Sequence, residues 1–133
     1  KTVSDNVALP LMIAGLRYSE IRKRVRAALD KVGLLEREKS WPLALSGGEQ
    51  QRVGVARAIV SMPPMLLADE PTANLDSHSM ERLMAHFREL NRVHKVTFII
   101  ATHDQRVMRW ADRLISMEDG QIIRDELVCT IAI

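Results

Sequence analysis

Residues 43 to 60 read LALSGGEQQRVGVARAIV, and residues 68 to 76 read ADEPTANLD. The first stretch puts a pair of glycines where a helix is predicted to begin, and the second puts two adjacent acids at the end of a short apolar run. Free backbone N–H groups at a helix N-terminus bind phosphate, and carboxylates bind divalent cations. Together, in this order, the two stretches predict a site for a polyphosphate and its metal.

Composition and charge indicate a single soluble domain. The 133 residues are 47% hydrophobic, which is enough for a buried core, and the formal net charge is only +2. A pI near 9.0 leaves weak attraction to nucleic acid or anionic lipid open. Cys129 is the only cysteine, which excludes an internal disulfide framework and favours a reducing, cytoplasmic compartment. No apolar run approaches the roughly 18 residues of a membrane span.

A first helix is predicted from Ser19 to Val32, with Ser19 as its N-cap. Its basic residues lie mostly off the apolar stripe, where they form either a solvated face or a surface for a partner or lipid. Because the chain starts without methionine and without a recognisable strand, we expect it to be a fragment. The apolar stripe at helical spacing comprises Ile21, Val25, Ala28, Leu29 and Val32.

A second helix is predicted to open at Ser46, to run from Glu49 to Met62 and to end at a pair of prolines. At such a helix start, Ser46, Gly47 and Gly48 bring backbone donors close to phosphate oxygens without obstruction from side chains. An ordinary capped helix has the same three residues, so both interpretations stay open at this point. The apolar stripe of this helix comprises Val53, Ala56, Ile59 and Val60.

The run MLLAD at residues 65 to 69 predicts a parallel strand that is covered on both faces. Asp69 and Glu70 stand at its carboxyl end, where ligands gather in open α/β sheets. Because two buried, adjacent carboxylates are costly without a counter-charge, a bound cation or a mobile proton is expected. Asp69 would hold Mg²⁺ and Glu70 would face the attacking water. The alternative is that both acids only begin the next loop.

The residues from Val96 to Ala101 predict a second strand, with His103 just past its end. A helix over residues 77 to 93 completes a strand-helix-strand unit with a right-handed crossover. If the strands are neighbours, His103 lies beside the two acids and can contact a γ-phosphate; otherwise it is an ordinary loop residue. The apolar side of the helix comprises Met80, Leu83, Met84, Phe87 and Leu90.

The three other histidines, His78, His86 and His94, are spaced eight residues apart and do not share one helical face, so we expect no metal cluster there. Near the end of the chain, Asp119-Gly120 predicts a two-residue hairpin turn between strands at residues 114 to 117 and 121 to 124. Residues 127 to 133 carry no recognisable chemistry.

Four motifs in a fixed order carry a family resemblance. LSGGEQQRV from Leu45, MLLADEP from Met65, NLD from Asn74 and THD from Thr102 are similar to motifs of the ATP-binding-cassette (ABC) ATPases. They resemble, respectively, the signature motif, Walker B, the D-loop and the switch histidine. The stretches TVSDNVALPLMIAG and ALDKVGLL resemble most the group of FtsE-type cell-division, lipoprotein-releasing and macrolide-export ATPases.

The resemblance implies an α/β, P-loop NTPase-like ABC ATPase fold, of which this chain is the C-terminal portion. Residues from about 3 to 62 would form the helical subdomain with the signature motif, and those from about 63 to 133 the later part of the α/β core.

The same resemblance assigns roles in a head-to-tail homodimer that binds ATP and Mg²⁺ and docks on an integral membrane partner. The glycine pair then completes the ATP site of the second subunit, whereas the two acids serve the subunit's own ATP. Glu49 stands where the signature often has Gln. The matched residues are Asp69 for the metal, Glu70 for catalysis, His103 for the γ-phosphate switch, Ser46, Gly47, Gly48 and Glu49 for ATP in trans, and Asp76 for the D-loop.

The phosphate-binding loop G-x-x-x-x-G-K-[ST] does not occur in these residues. We therefore expect ATPase activity in the full-length parent and none in this chain alone. The favoured function is the nucleotide-binding subunit of a membrane ABC complex of the cell-division, export or lipoprotein-release type, peripheral on the cytoplasmic face of the inner membrane. The alternative is a soluble ABC ATPase that acts on nucleic acid or the ribosome. The roughly forty ordinary residues before the signature favour the membrane complex, with no direct nucleic acid contact.

Overall fold

The computed structural model describes residues 1 to 128 and divides into two compact units, Lys1–Ile100 and a second that begins at Ala101. The predicted subdomain boundary near residue 62 stays a prediction. The helices are α1 (Val3–Ile13), α2 (Tyr18–Lys31), α3 (Gly47–Ile59), α4 (Ser77–His94) and α5 (Gln105–Met108), with 3-10 turns at Leu35–Arg37 and Pro42–Ala44. The strands are β1 (Met65–Asp69), β2 (Thr97–Ala101), β3 (Arg113–Glu118) and β4 (Gln121–Leu127).

Helix α1 was not predicted from the sequence. Its start is fixed by a capping box, in which Thr2 Oγ1 accepts from the Asp5 N–H and the Asp5 carboxylate accepts from the Thr2 N–H. The Thr-x-x-Asp spacing is the signal that could have revealed it, but Pro10 inside the helix obscures the pattern. Helix α1 packs against α2 and α3, with Val7 and Leu11 buried in the shared core.

Helix α2 confirms the predicted apolar stripe but not the predicted cap. The helix begins at Tyr18, and its N-cap is Arg17, which makes no side-chain capping bond. The assignment of Ser19 as N-cap was therefore wrong, because the extended backbone at Arg17 starts the helix earlier and places Ser19 in the first turn. All members of the stripe are buried: Ile21, Val25, Ala28, Leu29 and Val32.

Helix α3 starts where the sequence predicts and ends earlier. Its N-cap is Ser46, and its last residue is Ile59, three positions before the predicted end. Met62 has a left-handed φ of 49°, so the chain has already turned before the prolines. The predicted stripe is confirmed, since Val53, Ala56, Ile59 and Val60 are all buried.

Strands β1 and β2 are hydrogen-bonded neighbours, a point that the sequence analysis left open. The N–H of Thr97, the first residue of β2, donates to the Pro64 carbonyl just before β1 at 2.9 Å, so the two strands start at the same end and run parallel. Helix α4 joins them and packs its Phe87 ring on Phe98 of β2, with ring centroids 4.5 Å apart. Its predicted apolar side is buried: Met80, Leu83, Met84, Phe87 and Leu90.

The prediction that β1 is covered on both faces was wrong. Leu66 is buried, but Leu67 on the opposite face of the strand is 72% exposed. Among residues 1 to 128, the sheet that contains β1 has only two strands, so few elements are available to cover it.

The hairpin of the second unit forms at the predicted turn. Strands β3 and β4 pair antiparallel, with Glu118 opposite Gln121. Both turn residues adopt left-handed φ values, 49° at Asp119 and 76° at Gly120, as the mirror-image two-residue turn requires. Each strand is longer than predicted. Cys129 and the rest of the tail lie outside the described residues.

Leu29 in α2 offers a test of the first unit's core. Its side chain is fully buried, so we expect Leu29→Ala to lower the free energy of unfolding by about 2–5 kcal/mol, through lost burial and the cavity left behind. Leu43, which is 96% exposed, is the matched control, and Leu43→Ala should change the stability by less than about 0.5 kcal/mol. Urea denaturation of both variants measures this. Equal stability of the two would contradict the assigned core.

Candidate functional site

The start of α3 is closed by a reciprocal cap. The Ser46 hydroxyl oxygen accepts from the Glu49 N–H at 3.2 Å, and the Glu49 carboxylate accepts from the Ser46 N–H at 2.9 Å. The cap does not use the N–H groups of Gly47 and Gly48, which have no hydrogen-bond partner among residues 1 to 128. These two donors stand at the positive end of the helix and are available to an anion.

Glu49 has a local role that the sequence analysis missed, although the Ser-x-x-Glu spacing is the signal for it. Its bond from the Ser46 N–H lowers the pKa of the Glu49 carboxyl, and Arg37 Nε lies 3.6 Å from its second oxygen. The ionised side chain is therefore engaged in the cap. The predicted contact of Glu49 with ATP stays a prediction.

The two glycines of the signature differ in their surroundings. A Cβ atom at Gly48 would lie 2.9 Å from the backbone oxygen of Asn74, a distance that real Cβ atoms do not tolerate. A Cβ atom at Gly47 would meet nothing within 4 Å. Gly48 therefore permits close packing of α3 on the loop after β1, whereas Gly47 leaves an open approach to the helix start.

We call residues 69 to 76 the carboxylate turn. Asp69, the last residue of β1, is exposed and Glu70 is half-buried, so the expectation of two buried carboxylates was wrong for Asp69. Glu70 has a left-handed φ of 45°, a conformation that costs a non-glycine residue roughly 1 kcal/mol or more. The turn is closed by bonds from the Ala73 N–H to the Glu70 carbonyl and from the Leu75 N–H to the Thr72 carbonyl.

Gln51 joins α3 to the carboxylate turn, and sequence reasoning did not single it out. Its Nε2 donates to the Glu70 carbonyl at 2.7 Å, and its Oε1 accepts from the Asn74 N–H at 3.4 Å. No sequence signal announces this contact, because the partners are backbone groups 19 and 23 positions away. The signature motif and the start of the D-loop are thus held together within one unit.

Asp76 ends the carboxylate turn and caps α4. Its carboxylate accepts from the Ser79 N–H at 2.6 Å, and this bond lowers the pKa of Asp76. The side chain is exposed at the beginning of the helix. Its predicted role across a subunit interface stays a prediction.

His103 lies two positions after the end of β2, in the second unit, and is exposed. The loop around it is well bonded: the Thr102 hydroxyl accepts from the Asp104 N–H, and Asp104 caps α5. The hydrogen bond from the Arg106 side chain lowers the pKa of Asp104. The predicted contact of His103 with a γ-phosphate stays a prediction.

The comparison with known families decides the assignment. The family model described as ABC transporter matches residues 1–73, more than half of the chain. The chain belongs to the ABC transporter family. The predicted resemblance to the ABC ATPases is thereby confirmed at the level of the family.

Two curated relatives show the range of proteins to which this ABC chain is similar. The cell division ATP-binding protein FtsE of Escherichia coli K12 is 54% identical over 123 residues, which cover 92% of this chain and 55% of that protein. The methionine import ATP-binding protein MetN of Rhizobium johnstonii is 42% identical over 132 residues, which cover 98% of this chain and 36% of MetN. The chain spans about half the length, or less, of these relatives.

Two solved structures confirm the predicted ABC ATPase fold. The dimeric structure of a bacterial ABC transporter cassette matches with a TM-score of 0.91 at 36% identity and covers 100% of this chain and 58% of the cassette. A dimeric post-hydrolysis state of an ATP-binding cassette, bound to ADP and Pi, matches with a TM-score of 0.90 at 37% identity over 99% of this chain and 58% of that chain.

The carboxylates of the ABC chain fit Mg²⁺ only as an ion shared with phosphate. Residues 1 to 128 contain no group of three or more His, Cys, Asp or Glu side chains that could hold a metal ion. Mg²⁺ commonly keeps several waters and binds one or two carboxylates together with substrate phosphates. The exposed Asp69 at the end of β1 matches that requirement. In the same described part, no helix is long and apolar enough to cross a membrane.

Proposed function

We propose that this chain is part of the ATP-hydrolysing, nucleotide-binding subunit of a membrane ABC complex of the cell-division type. The observation that carries the proposal is the pairing of two unlike features in one compact unit. The free donors of Gly47 and Gly48 at the start of α3 suit a phosphate, and the carboxylate turn suits a metal and a water. The 54% identity to FtsE supports the cell-division type.

Each residue has one part in the proposed chemistry. Asp69 holds Mg²⁺, directly or through water, and Glu70 orients the attacking water and accepts its proton. Mg²⁺, when bound, neutralises charge on the phosphate oxygens. His103 contacts the γ-phosphate. Asp76 contacts the partner at the dimer interface.

The proposed dimer is head to tail. Ser46, Gly47 and Gly48, with Glu49 closing the cap, then hold the phosphates of ATP bound to the second copy. The dimeric cassettes with the same fold support a dimer. We also propose a helical subdomain at about residues 3 to 62, an integral membrane partner, and a position on the cytoplasmic face of the inner membrane.

The proposal concerns the full-length protein. The chain spans about half of FtsE, and its 133 residues contain no phosphate-binding loop, so the activity is not assigned to these residues alone. The names of the relatives described above refer to cell division and methionine import, which gives the nucleic-acid alternative no support.

Substitution of Ser46 by Arg tests the role in trans. In the full-length protein, Ser46→Arg places a bulky cation at the free donors, so turnover should fall about 100-fold while binding of ATP to the subunit's own site persists. Ser61→Arg adds the same charge at an exposed serine beyond the other end of α3 and should leave turnover unchanged. Phosphate release and equilibrium nucleotide binding measure the two quantities.

A mixing experiment separates a composite site from a site within one subunit. A heterodimer of Ser46→Arg with Asp69→Asn contains one intact composite site, so the mixture should recover turnover that neither variant has alone. Normal turnover of Ser46→Arg by itself would show that the role in trans is wrong.

A further inference from the structure

Gln51 makes two hydrogen bonds whose partners are the backbone of the carboxylate turn. The short bond, 2.7 Å from Nε2 to the Glu70 carbonyl, holds the residue that carries the proposed general base. The longer bond, 3.4 Å from the Asn74 N–H to Oε1, holds the point at which the D-loop begins. One amide therefore holds both ends of the five-residue segment from Glu70 to Asn74.

The segment needs such a restraint because its backbone is strained. Glu70 adopts a φ of 45° without being glycine, and conformations of this kind persist only where the surroundings enforce them. The direction of the Glu70 side chain depends on this backbone angle. Loss of the bond to its carbonyl would let the turn relax and would move the carboxylate.

Through Gln51, the carboxylate turn is connected to the start of α3. Gln51 lies five positions after Ser46, on the same continuous helix as the free donors of Gly47 and Gly48. The close approach of Gly48 to the Asn74 backbone is a second, independent contact between the same two parts. A small movement of the helix start is therefore transmitted to the turn and is not absorbed by a flexible loop.

We propose that Gln51 is a positioning residue that couples the two ATP sites within one subunit. The proposal rests on the proposed function, in which the start of α3 contacts the ATP of the second copy while Glu70 serves the subunit's own ATP. Gln51 then aligns Glu70 for hydrolysis according to the position of α3. It contacts neither nucleotide.

Two variants separate the two bonds in the full-length protein. Gln51→Met keeps the length of the side chain and removes both bonds, so turnover should fall between about 10- and 100-fold. Gln51→Glu keeps an acceptor for the Asn74 N–H but loses the donor to the Glu70 carbonyl, so it should lose turnover as well. Affinity for ATP at the subunit's own site should stay within about twofold for both variants, because a positioning role changes kcat and leaves binding intact.

Hydrogen-deuterium exchange of the Asn74 amide provides a readout that does not depend on activity. Exchange should accelerate about tenfold in Gln51→Met, whose side chain no longer accepts that hydrogen, and should stay close to wild type in Gln51→Glu. Unchanged exchange in Gln51→Met would overturn the link between α3 and the turn. This measurement tests the link between α3 and the turn even if the wild-type protein hydrolyses no ATP. Absence of ATP hydrolysis by the wild-type protein would instead overturn the proposed function.

Asn91, whose side-chain amide has a purely structural role, is the matched control for Gln51. Its Nδ2 donates to the Val96 carbonyl at 2.9 Å, between the end of α4 and the start of β2, without touching the carboxylate turn. Asn91→Leu should lower thermal stability and leave kcat unchanged. If Gln51→Met behaves in the same way, with lower stability and normal kcat, the positioning role is wrong.

Discussion

Replacement of Glu70 by Gln in the full-length protein should stop hydrolysis after the ATP-bound dimer has closed. The amide keeps the size of the side chain and its hydrogen bonding but cannot accept the proton of water, and general bases contribute about 100- to 10,000-fold to rates. ATP and Mg²⁺ should still bind. Size-exclusion chromatography with ATP and Mg²⁺ should therefore show a trapped dimer with little or no turnover.

Asp69→Asn is the companion experiment, because loss of the adjacent acid should block the protein at an earlier step. This change weakens the ligand for Mg²⁺, so closure with nucleotide is itself impaired and the protein should elute mainly as a monomer. The order of failure distinguishes the base from the metal ligand. A trapped dimer for Asp69→Asn and a monomer for Glu70→Gln would mean that the two carboxylates have been assigned the wrong way round.

Gly48→Ala should be the most damaging small substitution in the signature. The added Cβ would sit 2.9 Å from the Asn74 backbone oxygen, which cannot move aside as the end of a flexible side chain could. Such overpacking costs about 1–3 kcal/mol, and here it also displaces the carboxylate turn. We expect a lower melting temperature together with loss of turnover.

Gly47→Ala is the matched control for this effect. Its Cβ meets nothing within 4 Å, and alanine favours a helix over glycine by up to about 1 kcal/mol, so stability should hold or rise. Turnover should still fall, because the methyl group narrows the approach of phosphate to the free donors. Equal melting temperatures for the two variants would contradict the close contact between Gly48 and Asn74.

Local signals were sufficient to predict several elements. Ser46 and the glycine pair indicated the start of α3, the spacing from Met80 to Leu90 indicated the buried side of α4, and Asp119-Gly120 indicated the hairpin. In each case the information lies within a few residues, where capping, periodicity and turn geometry act.

Other features depend on partners far along the chain and could not be predicted in this way. The bonds of Gln51 reach backbone groups 19 and 23 positions away, and the exposure of Leu67 depends on how many strands surround β1. The Ser19 cap failed for a different reason. Its residue type was suitable, but the extended backbone of Arg17, two residues earlier, decided where the helix begins.

The hairpin of β3 and β4 also has a consequence for the order of folding. All the residues that pair between its two strands lie within the fifteen residues from Arg113 to Leu127. Its turn residues, Asp119 and Gly120, already favour the left-handed conformation that the turn requires. Such hairpins close in about 1–10 μs. Pairing of strands β1 and β2, by contrast, brings together residues separated by the whole of α4, and closing so long a loop is slower. During synthesis, the hairpin can therefore settle its register as soon as Leu127 has emerged, without waiting for the parallel pair.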